Sequence, residues 1–339
     1  MGFNWIRGPF EMIDALGAAT VIELAQQAGC EIPMALAASA DQGPFYLVKD
    51  QTLMVRTFGD IPTLQAISLP EGTQRFSLKR RTLQPITSNS AASLWALPGD
   101  LRLVEFHSKA NALTADSMAI IRQAATDHGK GILIHNDAQH FSAGVDLNRF
   151  ADFIARQVWE EMDSFLNEFQ QSVAMLKYCP VPVVGAPSGL SLGGGFEVLL
   201  HCDKLITHAN SVLGLVESGV GVVPGGGGVK TTYQRWLAAS KDPEIAAWET
   251  WMQVGYGKTG ESPEQATKLR YFIPDHDETV MNRDKLITRA TALLADMAPG
   301  YTPPTPPKMI LPGKAIFGKM EAFMADGLAK GWFKPHNKT

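Results

Sequence analysis

At 339 residues, with 45% hydrophobic and 19% charged positions, the chain has the composition of an ordinary globular protein, with room for one large core or two smaller ones. Its 30 Lys and Arg against 34 Asp and Glu leave a formal net charge of -4, so no global positive field gathers nucleic acid or an anionic membrane, and any anionic ligand must be met locally. Three cysteines, Cys30, Cys179 and Cys202, are odd in number and form no CxxC pair, which argues against a disulfide framework or a structural zinc and for a reducing, cytoplasmic setting.

The first residues carry charge and proline where a signal peptide needs an unbroken apolar core, and no run approaches the roughly 20 apolar residues of a spanning helix. Gly8-Pro9 opens an amphipathic helix expected to run through Phe10, Ile13, Leu16, Val21, Ile22 and Leu24 and to end at Gly29. Residues 45–58 alternate and predict a strand pair turning at Lys49-Asp50-Gln51. Residues 59–92, rich in Pro, Thr, Ser and Gln around the basic run Lys79-Arg80-Arg81, read as a linker or irregular arm.

From Ser93 onward strands alternate with helices. The pattern predicts strands over 101–106, 131–135, 181–186 and 204–208, a capped helix over 114–128, and a helix opened by glycine over 194–201. One long helix is expected over 152–178, with Ile154, Val158, Met162, Phe165, Phe169, Val173 and Leu176 at spacings of three and four, stopped by Pro180. Residues 211–229 read as a backbone-rich loop. A helix over 282–297, a proline-rich extended spacer over 301–307 and a last helix over 315–329 complete the chain. Strand and helix in alternation indicate an α/β architecture of repeated units.

Three stretches carry chemistry: His140-Phe-Ser-Ala-Gly-Val-Asp-Leu147, Ser188-Gly-Leu-Ser-Leu-Gly-Gly-Gly-Phe-Glu197, and the glycine-rich run from Gly214 through Glu217 to Gly228. Taken singly, each has a bland reading: a helix-start turn, a flexible loop, a solvent-facing glutamate. Taken jointly they describe a site. Glycines at 193 to 195 let the backbone come within hydrogen-bonding reach of a ligand, and the helix they open points its positive end at a developing negative charge. Glu197 stands within one turn of that helix start, and Glu217 follows 20 residues later. The run Gly219-Val-Gly221-Val-Val-Pro224 fails the dinucleotide pattern GxGxxG, and the pairs His135/His140 and His201/His208 lack the helical spacing of metal ligands, so no metal is expected.

In order and spacing these stretches resemble the signature segments of the enoyl-CoA hydratase/isomerase (crotonase) family, through Ser142-Ala143-Gly144-Val145-Asp146, Gly193 to Glu197 with Cys202-Asp203, and the earlier Asn111-Ala112-Leu113. The resemblance covers 93 to about 273 and implies a spiral of ββα units with a C-terminal helical tail. It implies an oxyanion hole from the backbone N–H groups of Val145 and Gly194, with Val standing where the family usually has Ala. It further implies catalytic glutamates at Glu197 and Glu217, and substrate or coenzyme A contacts at Ser142, Ala143, Gly144, Asp146 and Gly193. Asp146 and Asp203 match positions that support loop geometry. The implied reaction is hydration of a trans-2-enoyl-CoA to a 3-hydroxyacyl-CoA, with Glu197 activating water and Glu217 delivering the proton. It needs no cofactor beyond the coenzyme A of the substrate itself.

The rivals are double-bond isomerisation or another enolate reaction, and a non-catalytic acyl-CoA-binding fragment. The opening from Gly2 to Gly17 resembles, over about the first 60 residues, the helical C-terminal domain of 3-hydroxyacyl-CoA dehydrogenases. The expected organisation is therefore a partial dehydrogenase-like segment at 1–60, a linker at 61–92 and a hydratase domain at 93–339. Hydride transfer by this chain is not expected. The implied partners are an acyl-CoA, a further copy of the chain as in the family's trimers, or an upstream dehydrogenase domain; no nucleic acid and no membrane span are expected.

Overall fold

The computed structural model describes residues 8–333 apart from 51, 60, 68 and 69; the first part of the dehydrogenase-like opening, residues 2–7, lies outside them. The chain divides into two compact units, residues 1–73 with 77–82, and residues 74–76 with 83–339.

In the first unit, Pro9 starts helix α1 (Pro9–Leu16), where the Glu11 carboxylate accepts the Gly8 N–H at 2.9 Å. The single helix expected to reach Gly29 is two: Gly17 takes φ 87, which a side chain would resist, and α2 (Ala18–Gln27) begins beyond it. Helix α3 (Met34–Gln42) precedes the antiparallel strands β1 (Tyr46–Lys49) and β2 (Thr52–Thr57), whose connection uses Asp50 at φ 47. Asp14 ties α1 to β1 by accepting the Phe45 and Tyr46 N–H groups at 2.7 and 2.8 Å. A third strand, β3 (Thr63–Ala66), pairs with β2 inside the stretch expected as linker, which also holds helical turns at Phe76–Lys79 and Arg80–Thr82. Its polar, Thr-rich sequence hid a strand whose four residues are all exposed.

The second unit is built on a seven-stranded sheet from β4 (Thr87–Ser88), β5 (Ala92–Leu97), β6 (Leu101–Phe106), β7 (Ile132–Ile134), β8 (Val183–Gly185), β10 (Lys204–His208) and β13 (Glu278–Val280), adjacent in the order β4-β5-β6-β7-β8-β10-β13. From β6 to β13 the pairing is parallel, and the central strands β7 and β8 read as unbroken, fully buried apolar runs because both faces are covered. Ile132 and Ile134 face one core with Phe106, Ile121 and Val173, whereas Leu133 faces the other with Trp95, Val184 and Leu294. The first face is covered by α4 (Ala115–Thr126), capped by Thr114, and the second by α11 (Leu286–Met297). The long helix expected over 152–178 is also two, α5 (Leu147–Arg156) and α6 (Trp159–Lys177), parted by Gln157 in the left-handed region.

A second, three-stranded sheet carries the site. In it β9 (Leu190–Leu192) lies parallel to β11 (Val212–Gly214), and β12 (Thr259–Gly260) closes the far edge. Helix α7 (Gly194–Leu200) springs directly from β9, and the helices α8 (Gly228–Ser240), α9 (Pro243–Gly255) and α10 (Pro263–Lys268) follow β11 in the chain. The last helix, α12 (Lys314–Ala329), packs on α9. Among the described residues no helix is long and apolar enough to cross a membrane, and no group of His, Cys, Asp and Glu is placed to hold a metal ion.

Candidate active site

Three segments converge at the carboxyl end of β9. On one side Ser142 bridges in parallel to Ser191, through Ser142 N–H to Leu190 O and Leu192 N–H to Ser142 O, both 3.1 Å, and this carries Ala143 to Val145 alongside. On the other side β11 leads into a short turn, Glu217–Val220. Between them β9 runs into Gly193, at φ 53 and ψ -132, and so into α7 with Glu197 in its first turn. Residues spread over 75 positions of sequence thus meet because parallel neighbours end together, the usual place for a ligand in an α/β sheet.

Close approach here depends on missing side chains. A Cβ on Gly144 would lie 3.5 Å from the Gly194 nitrogen, and one on Gly194 would lie 2.6 Å from Cγ2 of Val145. The Val145 and Gly194 N–H groups have no acceptor among the described residues, since the bridge to Leu113 uses Gly144 O and Asp146 N–H instead. Two adjacent unspent amides, one of them in the first turn of a helix, can stabilise an oxyanion.

Glu197 is buried at 1% exposure, and its Oε1 accepts the Gly226 and Gly228 N–H groups at 2.8 and 2.7 Å. Burial pushes its proton affinity up, to a pKa of about 8; repulsion from Glu217 adds to this, and the Gly228 and Gly226 N–H groups oppose it. Glu217 presents its carboxylate toward Gly193, where a Cβ would sit 3.4 Å from Oε1. Both of its oxygens are buried without a hydrogen-bond partner among the described residues, and burial raises it to about 7. Repulsion between the two carboxylates makes Glu197 hold its proton more tightly once Glu217 is ionised.

The remaining expected positions are placed differently. Ser142 is fully buried, with its hydroxyl donated to Asn111 O at 2.8 Å and accepting the Gly144 N–H at 3.2 Å, so it braces the loop from within. Asp146 caps α5 by accepting the Asn148 N–H at 3.0 Å. Gly193 spends its N–H on Gly214 O at 2.9 Å, and Ala143 is exposed. Asp203 accepts the Val183 N–H and the Tyr301 hydroxyl at 2.8 and 2.9 Å, a purely structural pairing.

Several roles go beyond the sequence reading. The run Gly225 to Gly228, the end of the third stretch but assigned no contact there, supplies the Gly226 and Gly228 amides that hold Glu197. Phe169 of α6 lies over the site, within 3.2 Å of a Cβ on Gly194 and 2.6 Å of one on Gly226. His201 anchors the next turn of α7 through Nδ1 to the Glu197 carbonyl at 2.7 Å, and burial lowers its pKa to about 4, so it stays neutral. Beside these groups opens a chamber of about 1270 Å³, bordered by Val216, Ser218 and Gly225 to Gly227 but not by either carboxylate itself.

Residues 103–252 match the family model described as enoyl-CoA hydratase/isomerase. They form an enoyl-CoA hydratase/isomerase domain. The fold is the crotonase fold: a solved enoyl-CoA hydratase from Bacillus anthracis superposes with a TM-score of 0.51 at 20% identity, over 61% of this chain and 76% of that one. A Bacillus subtilis (strain 168) protein named as a probable 3-hydroxyacyl-CoA dehydrogenase is 31% identical over 344 residues, 99% of this chain and 43% of the relative. The fatty acid oxidation complex subunit alpha of Idiomarina loihiensis is 33% identical over 112 residues, 33% of this chain and 15% of that protein. The chain therefore spans less than half the length of these curated relatives, and the hydratase/isomerase domain is the part whose chemistry its own geometry addresses.

Proposed function

We propose that the domain hydrates trans-2-enoyl-CoA thioesters to 3-hydroxyacyl-CoA in fatty-acid β-oxidation. One observation carries this reading: two buried carboxylates of raised proton affinity stand beside two unspent amides. The Val145 and Gly194 N–H groups receive the thioester oxygen as it gains charge. Between them Glu197 and Glu217 hold one proton near neutral pH. That proton rests mainly on Glu197, the stronger base of the two, and the reacting form is the minor tautomer that carries it on Glu217. In that form ionised Glu197 takes a proton from water as the oxygen bonds to C3, and protonated Glu217 gives its proton to C2 of the enolate. Water has then been added across the double bond, and the pair again holds one proton, now on Glu197. No cofactor is consumed; coenzyme A enters as part of the substrate.

The unequal settings of the two glutamates favour one alternative. Glu197 is held by two amides while Glu217 is unpartnered, so Glu217 alone could move a proton between two carbons and isomerise the double bond. Loss of the conjugated enoyl-thioester absorbance on mixing with enzyme, with 3-hydroxyacyl-CoA as product, supports hydration. Absorbance gained from a trans-3-enoyl-CoA, with none lost from the trans-2 isomer, contradicts it. The same reading includes a cytoplasmic location and either self-association or a dehydrogenase domain as partner.

A further inference from the structure

The amide of Val145 is aimed by the segment that runs beside it. Leu113 N–H donates to Gly144 O at 2.8 Å, Asp146 N–H to Leu113 O at 3.0 Å, and Ala143 N–H to Ala110 O at 3.2 Å. In such a parallel bridge the residue between the two bonds turns its own N–H away from the partner strand. The placing of residues 110–113 therefore fixes where the Val145 donor points.

That placing depends on an unusual backbone. Ala110 (φ 55, ψ 18) and Asn111 (φ 51) are both left-handed, a region that residues with a Cβ enter at a cost, asparagine less than most. An extended chain would point the two carbonyls to opposite sides. Two left-handed residues in succession point them the same way, and the loop uses both: Ala110 O accepts the Ala143 N–H, and Asn111 O accepts the Ser142 hydroxyl at 2.8 Å. The buried Asn111 side chain pins the conformation by donating Nδ2–H to His140 O at 2.8 Å.

Ser142 carries the constraint to both donors. Its hydroxyl, donated to Asn111 O, also accepts the Gly144 N–H at 3.2 Å, one residue before Val145. On its other side a Cβ on Gly195 would come 2.4 Å from Ser142 Cβ and 2.5 Å from Oγ, so this side chain lies directly against the first turn of α7, next to Gly194. An alanine would fill the space as well; a buried hydroxyl that both donates and accepts also fixes direction.

We propose that Asn111 and Ser142 are positioning residues for oxyanion stabilisation. The left-handed Ala110-Asn111 pair and the Ser142 hydroxyl set the direction of the Val145 N–H relative to that of Gly194, and with it the polarisation of the thioester carbonyl. This rests on the reading of Val145 and Gly194 as oxyanion donors and deepens it.

The test reads the infrared carbonyl band of butyryl-CoA, unreactive and isotope-labelled at its thioester carbonyl, bound to the full chain. Two aimed donors move that band to lower wavenumber in the wild-type protein. Ser142→Ala keeps the Cβ that packs on α7 and removes only the hydroxyl, so the shift should shrink. Its kcat should fall by about 10- to 100-fold with butyryl-CoA affinity held within about threefold, since a misplaced donor costs most in the transition state. Asn111→Val, which resists the left-handed region, should lose the shift too, and Asn111→Gly, which enters it freely, should retain more of it than Asn111→Val. Asp203→Ala loosens the start of β8 and should leave the band in place, so lost stability alone does not imitate the effect. A folded Ser142→Ala protein that binds butyryl-CoA with the full shift overturns the assignment, whatever Asn111→Val does, and leaves the oxyanion hole standing. No shift in the wild-type protein overturns the oxyanion reading, and the assignment with it.

Discussion

Replacing Gly194 by Ala tests the packing that brings the two amides together. The new Cβ would come 2.6 Å from Val145 Cγ2 and 3.2 Å from the Phe169 ring. Restoring ordinary contact at 3.4 Å requires the two segments to part by roughly 0.8 Å, because both neighbours are held by close-packed surroundings. Overpacking of this kind costs about 1–3 kcal/mol of stability. The catalytic cost is separate: a displaced oxyanion donor forfeits up to about 2.7–4 kcal/mol, so turnover should fall by about 10²-fold. Val145→Ala removes the clashing methyl and keeps both N–H groups, so the double variant should recover most of the lost turnover and melting temperature. Enoyl-thioester absorbance and thermal melts read the two effects. Full activity and stability in Gly194→Ala alone would refute the claim that these backbones touch.

Stability and rate should both depend on pH through the glutamate pair. Glu197, at about 8 when folded against an ordinary 4.5, binds its proton more tightly folded than unfolded, so its contribution is full below pH 4.5 and is lost as pH rises toward 8. The slope is at most about 1.4 kcal/mol per pH unit, and Glu197→Gln should flatten it; an unchanged slope in denaturant titrations would contradict the burial argument. Turnover should be bell-shaped around pH 7 to 8, since the pair works only with one proton; a plateau reaching down to pH 5 would oppose this. Asp203→Ala leaves the Val183 N–H and the Tyr301 hydroxyl unpaired and should cost about 2–4 kcal/mol of stability, with kcat in the folded fraction unchanged.

The parallel sheet was legible because its strands are short apolar runs between helices with clear caps, such as Thr114 before α4. Helix continuity was not: Gly17 and Gln157 break helices at positions where the apolar spacing carries on, because periodicity records a buried face and not the backbone turn between two helices. The glutamates and the two amides are expected from the resemblance of their segments to a family's signature, and spacing alone does not single them out. Their proton affinities follow from neither, since these arise from burial under Phe169 and from amides of Gly226 and Gly228 that only folding brings to Glu197. Ser142 shows the reverse, a residue of a functional motif whose hydroxyl is spent on Asn111 inside the loop.

The central claim is that Glu197 and Glu217 act as one proton-sharing unit in hydration. Glu197→Gln, Glu217→Gln and the double variant, assayed by loss of enoyl-thioester absorbance and by binding of a saturated acyl-CoA, test it most directly. Each single change should lower kcat by about 10²- to 10⁴-fold with little change in binding, and the double change should cost far less than the product of the two. A Glu197→Gln enzyme that hydrates at full rate while Glu217→Gln is inactive would contradict the two-carboxylate account.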